Sequence, residues 1–211
     1  MGKQLASRAE DPSFSNRRED RRRAILDAAE ALFLDQGFEK VSLNAIIARS
    51  GGSLATAYEM FGNKQGLLRE VVERRREEGL VDLSEPGWEA LAPSEILLRF
   101  ANRYYEFVAT SRSIALMRVV IAESLSDPAF GREFYRDVNS KLIDRLSAMF
   151  RQWDTAGEAK VDDPGATAEL YLAMVMCDAP IKAMLGVDPE GPNCGRIEWR
   201  LEPFLRHFEI A

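Results

Sequence analysis

Between residues 21 and 36 the apolar side chains Ile25, Leu26, Ala29, Leu32 and Phe33 recur at the spacing of a helix with one buried face. Gly37 then offers a C-terminal stop, over which Phe38 can fold back. Ser42 suits the N-cap of the next helix, with Val41 and Ile46 placed as a hydrophobic staple and Leu43, Ile46 and Ile47 on its inner side. Gly51 fits the left-handed residue that closes it, and Ser53 caps a short helix from Leu54 to Phe61, whose Ala57 and Phe61 face inward. Gly62 ends that helix. Asn63 caps another that carries Lys64 in its first turn and continues to about residue 83, with Leu67, Leu68, Val71 and Val72 as its buried stripe. Gly79 and the Pro86–Gly87 pair interrupt it, so a domain boundary is expected near residue 80.

The rest of the chain repeats the helical theme. Pro93 and Ser94 open a helix through Thr110 with Ile96, Leu97, Phe100, Tyr104 and Phe107 on its apolar side, and residues 112 to 124 form a second. Asp127 and Pro128 are an N-cap and first-turn start for a long helix to about Trp153. Asp163 and Pro164 repeat that signal for a helix over 164–185, and Pro192 and Asn193 precede a last one. The 164–185 stretch is apolar around most of its circumference, which asks for burial on more than one side; a second subunit can supply it. Within it Asp178 and Lys182 are spaced to pair, and Pro180 should bend the helix. No stretch alternates like a strand. The expected fold is all-α with about nine helices, arranged as a loose tail (1–16), an N-terminal unit with its linker helix (17–80) and a helical body (81–211).

Charge sharpens this division. The net charge is −6, but residues 17–78 sum to +1 and residues 79–211 to −7, so only the first third is not repelled by a polyanion. Cys177 and Cys194 lie too far apart in sequence to suggest a disulfide framework and suit a reducing interior. With no apolar run of membrane-spanning length and no signal-like N-terminus, a cytoplasmic protein without membrane attachment is expected. The single histidine, His207, has no metal-ligand spacing around it, and there is no glycine-rich phosphate loop and no nucleophile with a base partner. No catalytic residue, metal or cofactor is therefore expected.

Residues 41–68 then stand out, because helix, tight glycine turn and short second helix are the plan of a helix-turn-helix DNA reader. The arginine run Arg17, Arg18, Arg21, Arg22 and Arg23 precedes it, where phosphate contact would release counterions. Small residues at 55 and 56 allow close approach, and the Thr56 and Tyr58 hydroxyls can donate to phosphate oxygens. Ser42, Gly51, Ser53, Thr56, Tyr58, Phe61 and Lys64, with AILDAAEALFLDQGFEKVSL upstream, resemble the DNA-binding region of the TetR family of bacterial transcriptional regulators. ALMRVVIAES, followed by Asp-Pro and by Phe130, Phe134 and Tyr135, is similar to the ligand-binding half of an AcrR/AefR-like branch of that family.

The resemblance implies that Asn44, Leu54, Ala55 and Thr56 approach base edges or nearby backbone, while Ser42, Tyr58, Met60 and Lys64 lie along phosphates; with Arg23 and the capping Ser53 these form the candidate DNA-facing set. Three positions depart from the pattern. Gly52 replaces a valine and removes a core anchor from the turn, Met60 replaces a histidine or tyrosine, and Glu59 places an acid on the reading helix. Glu59 either accepts from cytosine N4 or pairs with an arginine, the pairing being favoured. The resemblance further implies dimerisation through helices near 164–185 and 193–210, and an effector cavity lined by residues such as Phe100, Tyr104, Met117, Ile121, Trp153 and Met174. Methionine and aromatic side chains suit a small apolar or amphipathic effector.

The resulting expectation is a homodimeric, ligand-responsive regulator of double-stranded operator DNA, a repressor released from a palindromic site by a small molecule. The rival is a helical protein that binds a small molecule or a partner and does not read DNA specifically.

Overall fold

The computed structural model describes residues 12–79, 88, 90–187 and 196–211, and the side chains from residue 16 onward within them. Most of the expected tail, the Pro86–Gly87 pair, Pro192, Asn193 and Cys194 lie outside the described residues. Two compact units divide between Val71 and Val72.

The first unit contains α1 (Pro12–Gln36), α2 (Leu43–Ser50), α3 (Leu54–Phe61) and the start of α4 (Lys64–Gly79). Each short helix begins where a side chain can replace a missing backbone acceptor. Ser42 Oγ accepts from the Ala45 N–H at 3.1 Å, Ser53 Oγ from the Thr56 N–H at 3.1 Å, and Asn63 Oδ1 from the Gly66 N–H at 2.7 Å. Two-turn helices do not persist alone; here Ile46, Ala57 and Phe61 are buried, as are Ile25, Leu26, Ala29 and Phe33 of α1. Val41 and Ile46 are both buried as the staple requires, and the Phe38 ring closes against Phe33 with centroids 5.1 Å apart.

The second unit holds α5 (Pro93–Val108), α6 (Ser111–Ser126), α7 (Pro128–Phe134), a π-helical turn (Tyr135–Asn139), α8 (Ser140–Ala156), α9 (Pro164–Met176), α10 (Ala179–Leu185) and α11 (Ile197–His207). No strand occurs among the described residues. The two Asp-Pro starts behave alike, with Asp127 Oδ1 accepting from the N–H groups of Ala129 and Phe130 and Asp163 Oδ1 from those of Gly165 and Ala166. An aromatic cluster of Phe150, Tyr171 and Phe204 joins α8, α9 and α11, with centroid separations of 5.6 to 6.2 Å. Tyr171 is fully buried and its hydroxyl donates to the Leu97 carbonyl at 2.6 Å, so α5 closes the same core.

The 164–185 stretch departs from the continuous helix expected. It breaks at Cys177, which adopts φ +47°, and restarts as α10, with Pro180 in the new first turn. A proline lacks an N–H and its ring collides with the carbonyl four residues earlier, here that of Met176, so the helix ends before it instead of bending through it. Asp178 and Lys182 do pair, at 2.8 Å, and the hydrogen bond from Lys182 holds the Asp178 carboxyl below its ordinary pKa.

Candidate nucleic-acid interface and effector cavity

On the reading side, α3 turns Ala57 and Phe61 inward and leaves Ala55, Tyr58 and Glu59 in water, with Leu54, Thr56 and Met60 partly covered. Ser42 and Asn44 are exposed at the start of α2. Ser53 and Thr56 are linked to each other, their hydroxyl oxygens 2.8 Å apart, so both serve the cap of α3 in the free protein.

The arginines of α1 divide their work in a way that spacing did not reveal. Arg18 pairs with Glu59 at 3.5 Å, the favoured alternative for that acid. Arg21 lies against the glycine turn: its Nη1 donates to the Ser50 carbonyl at 3.4 Å, and a Cβ added at Gly52 would stand 3.3 Å from its Cδ. The arginine stem thus covers the turn on the side where Gly52 has no side chain, and Gly52 has φ +100°, a conformation natural only to glycine. Arg22 is hydrogen-bonded to Glu70 and sits over the Phe61 ring at 6.0 Å, fastening α1 to α4. Arg23 pairs with Asp20 at 2.9 Å and remains exposed. Lys64 turns inward: its Nζ donates to the Phe38 carbonyl at 2.9 Å and lies 4.3 Å from the Phe38 ring centroid.

In the second unit a cavity of about 430 Å³ lies among α4, α5, α6, α8, α9 and α10. Of the six residues expected to line it, Tyr104, Met117 and Ile121 do so. Phe100 and Trp153 belong to the main core instead, and Met174 packs against that core. The division falls between neighbours: Phe100 stacks on Tyr104 with centroids 5.7 Å apart, yet reaches back toward Tyr171.

Missed by the sequence reading are Phe107, Leu142, Met176 and Met184, and two arginines of α4, Arg75 and Arg76. A reading of apolar faces discards arginines as solvent-facing. Here the Arg75 guanidinium lies 5.3 Å from the Phe107 ring centroid and donates to Glu78 at 3.3 Å. Arg76 donates to the Val138 carbonyl and, at 3.1 Å, to Glu73, whose same oxygen accepts from Lys141 at 2.7 Å. Burial pushes the Tyr104 phenol above its ordinary pKa, partly opposed by the positive charge of Arg76. Among the described residues no group of three His, Cys, Asp or Glu side chains could hold a metal ion, and no helix is long and apolar enough to cross a membrane.

Residues 25–71 match the family described as bacterial regulatory proteins, tetR family, and residues 95–206 match the AefR-like transcriptional repressor C-terminal domain. The HTH-type transcriptional repressor KstR of Rhodococcus jostii (strain RHA1) is 31% identical over 177 residues, which covers 82% of this chain and 75% of KstR. The solved structure of the flavonoid-responsive regulator FrrA superposes with a TM-score of 0.72 at 29% identity, covering 90% of this chain and 97% of FrrA. A TetR-family structure from Mesorhizobium loti shares the fold with a TM-score of 0.73 at 23% identity, covering 91% and 98% of the two chains. The helix-turn-helix head, the all-helical body and these matches over both units place the chain in the TetR family of DNA-binding bacterial transcriptional regulators.

Proposed function

We propose that the protein is a cytoplasmic homodimeric repressor whose head, residues 17–80 with the linker helix, reads a palindromic operator, and whose body, residues 81–211, binds a small apolar or amphipathic effector. It has no enzymatic role in this reading. Asn44, Leu54, Ala55 and Thr56 approach base edges, Arg23, Ser42, Ser53, Tyr58 and Met60 serve the backbone, and Lys64, held to the Phe38 carbonyl, braces the head beneath them. KstR is a repressor and FrrA is flavonoid-responsive by name, which supports both repression and a small-molecule effector.

The carrying observation is α4. This one unbroken helix starts three residues after α3 ends, and its later turns supply Val72, Arg75 and Arg76 to the cavity wall. An effector that shifts that wall moves a rod whose first turn is capped beside the reading helix. A coupling of about 1 to 3 kcal/mol suffices to release DNA. Two heads on half-sites one helical turn apart require two copies. Leu170, Ile181, Leu185 and Trp199 are exposed on α9, α10 and α11, the elements expected at the dimer seam.

Selection from a random duplex pool tests the reading: enrichment of an inverted repeat is expected, and an unenriched pool overturns it. Glu59 on the reading helix favours the rival in which DNA is not read specifically. Titration with nonspecific duplex at low salt separates the two, because a reader keeps measurable affinity there.

A further inference from the structure

Among the described residues lining the cavity, Arg75 and Arg76 are the only charged ones, and both come from α4. Their side chains retain only 21% and 12% exposure, and each Nε is buried without a hydrogen-bond partner among the described residues. Their carboxylates are shared. Glu73 serves Arg76 and Lys141 through one oxygen, while its other oxygen is buried unpartnered, and Glu78 faces both Arg75 and Arg74. The α4 wall therefore presents two guanidiniums and no carboxylate to the cavity. Beside it burial keeps the Tyr104 phenol neutral and able to donate. Apart from Ser113 and Asn139, the rest of the lining is apolar, with Met117, Ile121, Met176 and Met184 set along α6, α9 and α10.

Filling this space with a neutral hydrocarbon would remove the remaining water from two guanidiniums without giving their unpartnered Nε groups an acceptor, and a cation would meet like charge. We propose that the cavity takes an amphipathic monoanion, with its aliphatic or aromatic body against the methionine-bearing walls and a carboxylate or similarly acidic oxygen turned to Arg75, Arg76 and the Tyr104 hydroxyl. The assignment rests on the cavity being the effector site. A volume of about 430 Å³ is in the range of small-molecule pockets.

The test uses the full-length protein and a matched series below micelle formation: dodecanoate, dodecanol and dodecylamine, each displacing the neutral fluorophore N-phenyl-1-naphthylamine. Dodecanoate should displace it at a concentration about tenfold or more below the other two, the effect of a charge-assisted hydrogen bond. Arg75→Gln and Arg76→Gln should each bring the acid toward the alcohol while leaving the alcohol unchanged. Arg76 also holds the Val138 carbonyl, so thermal unfolding of both variants is measured alongside, and Arg75→Gln carries the test if Arg76→Gln unfolds. Displacement by the alcohol or amine equal to that by the acid overturns the proposal and leaves the effector site standing. Failure of the fluorophore and all three amphiphiles to bind overturns both. Preferential binding of the acid without release of a selected operator duplex supports the ligand chemistry but overturns ligand-controlled repression.

Discussion

Glu59 and Arg18 face each other at 3.5 Å with side chains 72% and 67% exposed, so their pairing adds little to stability. Its consequence is electrostatic. The acid stands on the helix proposed to meet DNA, and it occupies a cation of α1. Glu59→Gln is expected to raise affinity for nonspecific duplex several-fold and to steepen the salt dependence by about one unit, measured by fluorescence anisotropy across a salt series. An unchanged slope would place residue 59 away from the backbone. Lys64 presents a different choice, because its ammonium is bound to the Phe38 carbonyl and ring. Lys64→Met should cost about 1 to 2 kcal/mol in denaturant unfolding. Uniform loss of duplex binding at unaltered stability would instead make the phosphate contact its main role.

At the scale of elements, two glycines and a cysteine set how helices meet and end. A Cβ on Gly66 would stand 2.1 Å from the Phe61 carbonyl oxygen, an atom fixed in the end of α3. Gly66→Ala is expected to destabilise the head by about 2 kcal/mol or more, visible as an early unfolding transition. Gly79 likewise meets the Phe107 ring, where an added Cβ would approach to 1.9 Å, so α4 ends pressed on a residue of the cavity wall. Cys177 holds φ +47° and ψ −126° at the break between α9 and α10. Cys177→Gly should stabilise by about 1 kcal/mol and Cys177→Val should destabilise by at least as much. Equal melting temperatures for the two variants would mean the backbone relaxes without strain.

For the whole molecule, the proposed seam decides whether two heads act together. Trp199 is 65% exposed on α11 and Leu185 74% exposed on α10. Trp199→Glu, alone or with Leu185→Glu, is expected to shift the protein toward monomer by light scattering and to weaken binding to an inverted repeat far more than to a single half-site. A variant that remains dimeric would move the seam elsewhere. The head was legible at the level of individual caps, turns and inward residues. The body was legible only as helices and their starts, because an apolar stripe states that a face is buried and not what buries it.

Sequence by itself determined where the capped helices begin, although it ran 164–185 on through the break at Cys177. Ser42, Ser53, Asn63, Asp127 and Asp163 act on backbone groups within a few residues, so a local reading suffices. It also determined the family, through the side chains of a short motif. Tertiary structure alone decided which buried residues enclose a space. Phe100 and Tyr104 are one helical turn apart and stacked, yet only Tyr104 lines the cavity. It alone brought Arg21 onto the glycine turn and Arg75 and Arg76 into the cavity wall. A long cationic side chain can lie along an apolar wall as readily as reach water, and the packing around it, not its place in the sequence, makes the choice.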